Sequence, residues 1–367
     1  MKSSNFAALA LCGLLMASCG GNKKDKASGE DIFNPFDYTL TVTNFEDKDS
    51  NYLYLYDYDA LADSYKKGAD IALIDSVMVV NGQANFSIKG TSAPVVILQF
   101  KGGARHLIFP EAGANSYNYT EKKGSGNLAK KYLAYNDSLN SIYEGANSNV
   151  PEKGTPAYNA FVDSVENLLD SFKESTINSN IDNAFGFYMV ASEAESNPEK
   201  VDSLIIKAPH FASTKRMIKA LKEAEKLKAT SAGQPYTDFT IESNGKSVKL
   251  SDYVKPGTYT LVDFWASWCG PCKRAIASLK KDYADLHAKG LNVVGVAVWE
   301  EPDATEAWLK ENPLPWDIIL DAQTVPTDIY AIHGIPTLVL IGPDGKIIAR
   351  SYSDEEVLEA FNAAITK

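Results

Sequence analysis

Apolar residues recur along this chain with three different periods, and the changes of period divide it. From Tyr38 to about Tyr119 the spacing is two. In YTLTVTN, Tyr38, Leu40 and Val42 alternate with Thr39, Thr41 and Thr43, and NYLYLYDYD continues with residues that suit a pleated, half-buried surface. LIDSVMVVNGQANFSIKG carries Asn81-Gly82 between two strand-like runs, a pairing suited to a tight hairpin turn, and PVVILQF and RHLIFP supply two further strands. These runs predict a small antiparallel β domain over residues 37–122. His106 falls in its last strand, where a single histidine without a second ligand reads as a structural residue. Tyr52, Tyr54, Tyr56 and Tyr58 share one strand face, which reads first as packing and second as a binding surface.

Residues 123–232 change to helical spacing. AKKYLAYNDSLNSIYEGA, PAYNAFVDSVENLLDSF and FASTKRMIKALKEAEKLKA each place apolar residues three and four apart, as in Met217, Leu221, Ala224 and Leu227. The basic set Lys215, Arg216, Lys219, Lys222, Lys226 and Lys228 is interleaved with Glu223 and Glu225, so it reads as the solvated face of an amphipathic helix. A helical connector is expected here. Gly233 and Pro235 mark its end.

From residue 233 to 367 strands and helices alternate. DFTIES, a turn at Asn244-Gly245, YTLVDFW, a helix from about Gly270 to Lys289, LNVVGVAVW, helices near Ala304–Glu311 and Thr324–Ile332, WDIIL, TLVLI, IIARSY and a final helix from Asp354 predict an α/β sheet with helices on both faces. LNVVGVAV is strongly apolar and should be a central, buried strand.

The N-terminus has a different composition. Lys2 precedes the apolar run FAALALCGLLMA, which is short for a bilayer span and reads as a signal peptide over residues 1–18. Met16-Ala17-Ser18-Cys19 resembles a bacterial lipobox, with methionine where leucine is usual, and this implies acylation of Cys19. Residues 19–36, polar and without periodicity, then form a lipidated tether. The chain of 367 residues, 45% hydrophobic, can bury more than one core, and its net charge of −11 gives no basic footprint for nucleic acid.

The cysteine count sharpens the picture. Of four cysteines, Cys12 lies in the signal and Cys19 takes lipid, which leaves Cys269 and Cys272 in VDFWASWCGPCKRA. An exported chain with one remaining pair has no disulfide framework. Cys269 ends a buried strand and starts a helix, where unpaired backbone N–H groups and the helix dipole favour a thiolate, so it is the expected nucleophile. Cys272, one turn further in, is placed to resolve a mixed disulfide, and Pro271 suits the first turn. Zinc is the alternative use of such a pair, but no second pair exists and His106, His210, His287 and His333 show no ligand spacing. A peroxidatic cysteine would lack a third thiol to resolve it within the chain.

FWASWCGPCK together with HGIPTLVLIGPDGKII resembles the thioredoxin-like envelope proteins of the TlpA/ResA group, over about residues 233–367. The resemblance implies a thioredoxin-like fold, an exposed nucleophile at Cys269 flanked by Trp268, a resolving thiol at Cys272, and a cis peptide between Ile335 and Pro336 that brings this loop beside the cysteines. Trp268, Gly270, Pro271 and Ile335 would then meet the substrate, and its extended segment would pair with the loop backbone. Asp263 matches the buried acid of thioredoxins that helps deprotonate the resolving thiol, whereas the glutamate that envelope relatives carry three residues after the second cysteine is here Ala275. With no lysine in NVVGVAVW to pair with it, Asp263 should titrate high through desolvation. Its alternative role is a capping or satisfied core residue.

The expected function is a lipid-anchored envelope thiol-disulfide oxidoreductase of a Gram-negative bacterium facing the periplasm, with no cofactor beyond the Cys269–Cys272 disulfide and no metal. Its partners would be protein thiols or disulfides and a membrane electron donor, with the bilayer reached through Cys19. The Gly-Pro dipeptide and Asp263 favour a reductase. The rivals are a binding or scaffold lipoprotein whose β domain captures a ligand or partner, and a copper-handling protein, against which the two-residue cysteine gap and the missing histidine partner speak.

Overall fold

The computed structural model describes residues 32–45, 50–63, 72–148, 150–243 and 246–366. The signal peptide, Cys19 and the Asn244-Gly245 turn expected above lie outside the described residues. The chain splits into two compact units, one of Asp75–Gly186 with the chain up to Leu53, the other of Tyr54–Ile74 with Phe187–Lys367.

The strands, in chain order, begin with β1 (Phe36–Thr43), β2 (Tyr52–Asp57), β3 (Leu73–Met78), β4 (Gln83–Thr91), β5 (Val96–Phe100), β6 (Arg105–Ile108), β7 (Gly113–Asn118) and β8 (Lys123–Gly124). They belong to two four-stranded sheets, one ordered β4-β1-β7-β8. Period two in the sequence becomes burial on one face: Tyr38, Leu40 and Val42 of β1 and Ala84, Phe86 and Ile88 of β4 are all buried. Pairs β1–β4, β5–β6 and β7–β8 are antiparallel, and β1–β7 is the exception, running parallel. Residues 79–82 form the expected tight turn. Val80 and Gln83 exchange backbone hydrogen bonds across Asn81 and Gly82, both at positive φ, as a two-residue turn requires. The strands it joins then part, because β4 continues along β1 while β3 lies in the other sheet.

His106 is buried, its Nδ1 3.0 Å from the Tyr117 hydroxyl and its ring stacked on Tyr119 at 4.2 Å, which agrees with a structural reading. In β2 the leucines 53 and 55 are buried, while Tyr52 is exposed and Tyr54 and Tyr56 stack on each other with centroids 6.2 Å apart.

Helices α1 (Asn127–Asn147), α2 (Pro156–Asn180), α3 (Ala184–Ser196), α4 (Val201–Lys207) and α5 (Lys215–Ala229) follow. In the second unit the basic face of α5 departs from the expected solvated stripe at one residue. Arg216 donates from Nη1 to both Glu195 oxygens at 2.7 and 2.8 Å and from Nε to the Tyr58 carbonyl at 2.8 Å, with its guanidinium 3.5 Å above the Tyr58 ring. The Asp59 carboxylate accepts from the Lys215 and Arg216 N–H groups and so caps α5.

The remaining elements are β9 (Thr240–Ser243), β10 (Lys246–Lys249), β11 (Tyr259–Trp265), α6 (Gly270–Ala288), β12 (Leu291–Val298), α7 (Pro302–Glu311), β13 (Asp317–Gln323), α8 (Val325–Ile329), β14 (Thr337–Ile341), β15 (Ile347–Ser351) and α9 (Asp354–Ile365). Five of these strands form a mixed sheet, β13-β12-β11-β14-β15, with β11–β12 and β12–β13 parallel and β11–β14 and β14–β15 antiparallel. Because side chains alternate, each strand feeds two cores. Val262, Phe264, Val294, Val296, Val339 and Ile341 pack with Phe239, Leu250 and Tyr330 on one face. Leu261, Trp265, Val293, Leu338 and Leu340 pack on the other with Ile276 and Leu279 of α6 and Val357 and Phe361 of α9.

Gly295 of β12 lies opposite Asp263 of β11, and a Cβ there would stand 2.6 Å from Ile318 Cδ1 and 3.0 Å from Trp265 Nε1. Both neighbours would have to shift inside a close-packed core. Gly295→Ala should therefore destabilise the oxidised chain by about 1–3 kcal/mol, read as a lower denaturant midpoint; an unchanged midpoint would mean that the core yields freely.

Candidate functional site

Strand β11 is buried from Thr260 to Trp265 and ends directly in the loop Ala266–Trp268, after which α6 begins. Cys269 occupies the N-cap of α6 with extended backbone, and its Sγ accepts the Cys272 N–H at 3.2 Å. The sulfur thus sits where a capping oxygen ordinarily would. Pro271 stands in the first turn. Cys269 and Cys272 are joined by a disulfide with Cα atoms 5.3 Å apart; Cys272 is fully buried, and Cys269, expected to be exposed, is itself buried at 4% exposure, packed in the same core as Cys272. After reduction the same N–H and the helix N-terminus would hold negative charge on Cys269.

The loop before β14 closes the other side. The Ile335–Pro336 peptide is cis, and the Ile335 carbonyl oxygen lies 3.5 Å from Cys269 Sγ. Thr337 Oγ1 donates to the Gly334 carbonyl at 2.8 Å, and the Arg350 guanidinium donates to the Ala331 carbonyl at 3.2 Å, tying the loop to β14 and β15. Trp268 is 60% exposed beside the buried pair. Gly270 follows Cys269 at the start of α6, where a Cβ would meet nothing closer than the Arg274 side chain at 3.9 Å. The structure therefore brings Trp268, Cys269, Gly270, Pro271, Cys272, Ile335 and Pro336 to one place.

Asp263 lies beneath it. It shares a face of β11 with Leu261 and Trp265, which pack in the same core as Cys269 and Cys272. It is fully buried, and among the described residues neither carboxylate oxygen has a hydrogen-bond partner. Burial, helped by the negative charge of Asp354 at the start of α9, pushes its pKa up to about 7. A carboxyl group at that value can take up or release a proton near neutral pH. Ala275 is a buried apolar position.

Sequence reasoning missed Glu300. It follows β12, is nearly buried, and its two oxygens accept the Ser267 N–H at 2.8 Å and the Ser267 hydroxyl at 2.6 Å. Gln323 Nε2 donates to the Glu300 carbonyl at 2.9 Å. The carboxylate thereby fixes the loop two residues before Cys269. The available signal was an acid two residues past a strongly apolar strand, since β11 and β12 are parallel and their C-terminal ends lie together. Tyr352, an exposed aromatic, was also missed; a Cβ on Gly334 would be 3.8 Å from its ring.

Residues 232–350 match the AhpC/TSA family. That match spans about a third of the chain and coincides with the five-stranded mixed sheet and its helices, a thioredoxin-like fold. The chain is similar to the thiol-disulfide oxidoreductase ResA of Bacillus subtilis, 31% identical over 119 residues that make up 32% of this chain and 65% of that protein. It is also similar to the protein of the same name from Bacillus cereus, 26% identical over 137 residues, 36% of this chain and 78% of the relative. Among solved structures, the thioredoxin domain of a thiol-disulfide oxidoreductase from Bacteroides vulgatus has 27% identity and a TM-score of 0.32, covering 37% of this chain and 98% of that one. The family match lies within the C-terminal third of the chain.

Protonation of Asp263 should leave a mark on stability. The unfolded group titrates near 3.8 and the folded one near 7. Between these values the native chain holds a proton that the unfolded chain has released, so stability is highest below about pH 4 and falls until about pH 7. At ~1.36 kcal/mol per pH unit, the loss approaches about 4 kcal/mol. Denaturant titrations of the oxidised chain from pH 4 to 8 should show this decline, and Asp263→Asn should flatten it; parallel curves would assign the decline to other groups.

Proposed function

We propose that this chain is a thiol-disulfide oxidoreductase acting on protein substrates. The observation that carries this reading is the Cys269 sulfur at the N-terminus of α6, next to the Ile335 carbonyl and flanked by exposed Trp268. In the reduced chain, the Cys269 thiolate attacks one sulfur of a substrate disulfide, forming a mixed disulfide and releasing the other substrate sulfur as a thiolate. Cys272, deprotonated with Asp263 as base, then attacks Cys269 Sγ; the intramolecular disulfide forms, and the second substrate sulfur leaves and takes up a proton. An extended substrate segment would pair with the backbone at Ile335.

The finer reading is a reductase in the cell envelope, supplied with electrons by a membrane donor and anchored through lipid on Cys19. The Gly-Pro dipeptide between the cysteines supports the reducing direction. A reductase of this kind should have a potential nearer to about −270 mV than to the roughly −120 mV of a strong oxidant, a gap of about 7 kcal/mol for two electrons.

Cys272→Ser should accumulate mixed disulfides with cellular proteins through Cys269, resolved by non-reducing electrophoresis and identified by mass spectrometry. None should form in Cys269→Ser. Absence of adducts in both variants would reject the oxidoreductase reading. Equilibration with dithiothreitol would fix the direction: a potential above about −180 mV, with the pair mainly oxidised in cells, would replace the reductase by an oxidase or isomerase. For the anchor, a palmitate label should follow the wild type and vanish in Cys19→Ala; a labelled variant would reject lipidation at this residue.

A further inference from the structure

The first unit contains a cavity of about 340 Å³ that the cysteine chemistry does not use. It is lined from β1, β6, β7, the turn into β8, and α1. Small-molecule sites begin at about 300 Å³, so its size is that of a ligand pocket.

The sequence of α1 bears on why it stays open. Ala129, Tyr132, Leu133 and Asn136 lie three and four residues apart, hence on one helix face, and all four line the cavity. Yet none of the helix's 21 residues is fully buried. Tyr132 packs against Phe109 and edge-on against Phe185, and the rest of this face borders a space shared with Leu40, Leu107 and Phe109.

Polar groups stand at defined points of the wall. His106 and Tyr117 are both more than nine-tenths buried, joined through Nδ1 and the hydroxyl at 3.0 Å. Burial, with the positive charge of Lys122 nearby, holds the His106 pKa below the ordinary histidine range, so the imidazole is neutral at pH 7. Lys122, Arg105 and Glu121 also line the cavity, but Glu121 is paired with Lys123 at 3.3 Å. Among the described residues no carboxylate lies within ion-pair distance of Lys122. The wall is thus apolar at Leu40, Leu107, Phe109, Tyr132 and Leu133, polar at Asn115 and Asn136, and carries the cations Lys122 and Arg105.

We propose that this cavity binds a small aromatic acid, its ring against Phe109, Tyr132 and Leu133 and its anionic group at Lys122. His106 and Tyr117 offer hydrogen bonds to any further oxygen on the ligand. The site is separate from the cysteine pair and does not depend on the oxidoreductase reading.

The test is a fluorescence titration of the intact chain with anilinonaphthalene sulfonate, an aromatic anion, beside its uncharged counterpart phenylnaphthylamine. One saturable site per chain is expected, tighter for the anion and weakened by salt. Ala129→Trp, which fills the cavity from α1, should lower affinity at least about tenfold. Lys122→Glu, a change of an exposed residue, should weaken the anion and spare the neutral probe. Cys269→Ser should bind as the wild type does. No saturable site, equal binding of both probes, or unchanged anion affinity in Lys122→Glu overturns the proposal, and the last of these decides alone if Ala129→Trp fails to fold.

Discussion

The C-terminal domain is organised around one constraint: a strand buried on both faces carries a carboxyl group that finds no partner. Six successive residues of β11, from Thr260 to Trp265, are buried, hydrogen-bonded on one side to a parallel strand and on the other to an antiparallel one. Such a strand cannot slide by one residue without exchanging its two cores. It therefore fixes where the chain emerges at Trp265 and where α6 can start. Cys269 receives its capping position from this geometry, and Asp263 its depth below the pair. The same burial that makes Asp263 costly to ionise makes it useful as a proton acceptor near neutral pH.

Much of this was legible in the residues because local and tertiary signals agree. The apolar strand and the Trp-Cys-Gly-Pro-Cys run each specify a local conformation, the cis peptide at Ile335-Pro336 was implied only by the family resemblance, and in the fold the Ile335 carbonyl comes to Cys269. Helices α6 and α7 and strands β11, β12 and β14 fall close to where periodicity puts them. Less legible was what depends on long-range pairing. The parallel contact of β1 with β7 joins segments about seventy residues apart and leaves no mark in either. Arg216 sits in a basic run that reads as solvated, and only the approach of Tyr58 and Glu195 singles it out. Helix α3 gave no amphipathic signal because Phe185, Phe187, Val190, Ala191 and Ala194 are buried around most of its circumference.

The N-terminal strands show the opposite relation between pattern and packing. Their alternation predicts strands well where one face is buried and the other is not, as in β1 and β4, whereas β5 is buried on both faces. Alternation does not say which strand pairs with which. Asn81-Gly82 makes the turn its backbone favours, yet the two strands it joins enter different sheets. A tight turn fixes the direction of the chain over four residues, and the wider pairing is decided by which faces can cover one another.

Two buried acids, Asp263 and Glu300, sit in different environments, and their hydrogen-bond partners distinguish them. Asp263 has no hydrogen-bond donor among the described residues, so water exclusion dominates and its charged form is disfavoured. Glu300 is also nearly buried, but its oxygens receive an N–H and a hydroxyl from Ser267 and so are engaged in holding that loop. Exchanging protons near pH 7 requires the first environment, whereas holding a loop in one place requires the second. Sequence alone gives both residues the same side-chain chemistry, and the difference arises from a strand interior that supplies no donor and a strand end that faces the backbone of the next loop. Asp263 is therefore the group suited to moving a proton, and Glu300 the group suited to keeping Cys269 where the proton and the substrate can reach it.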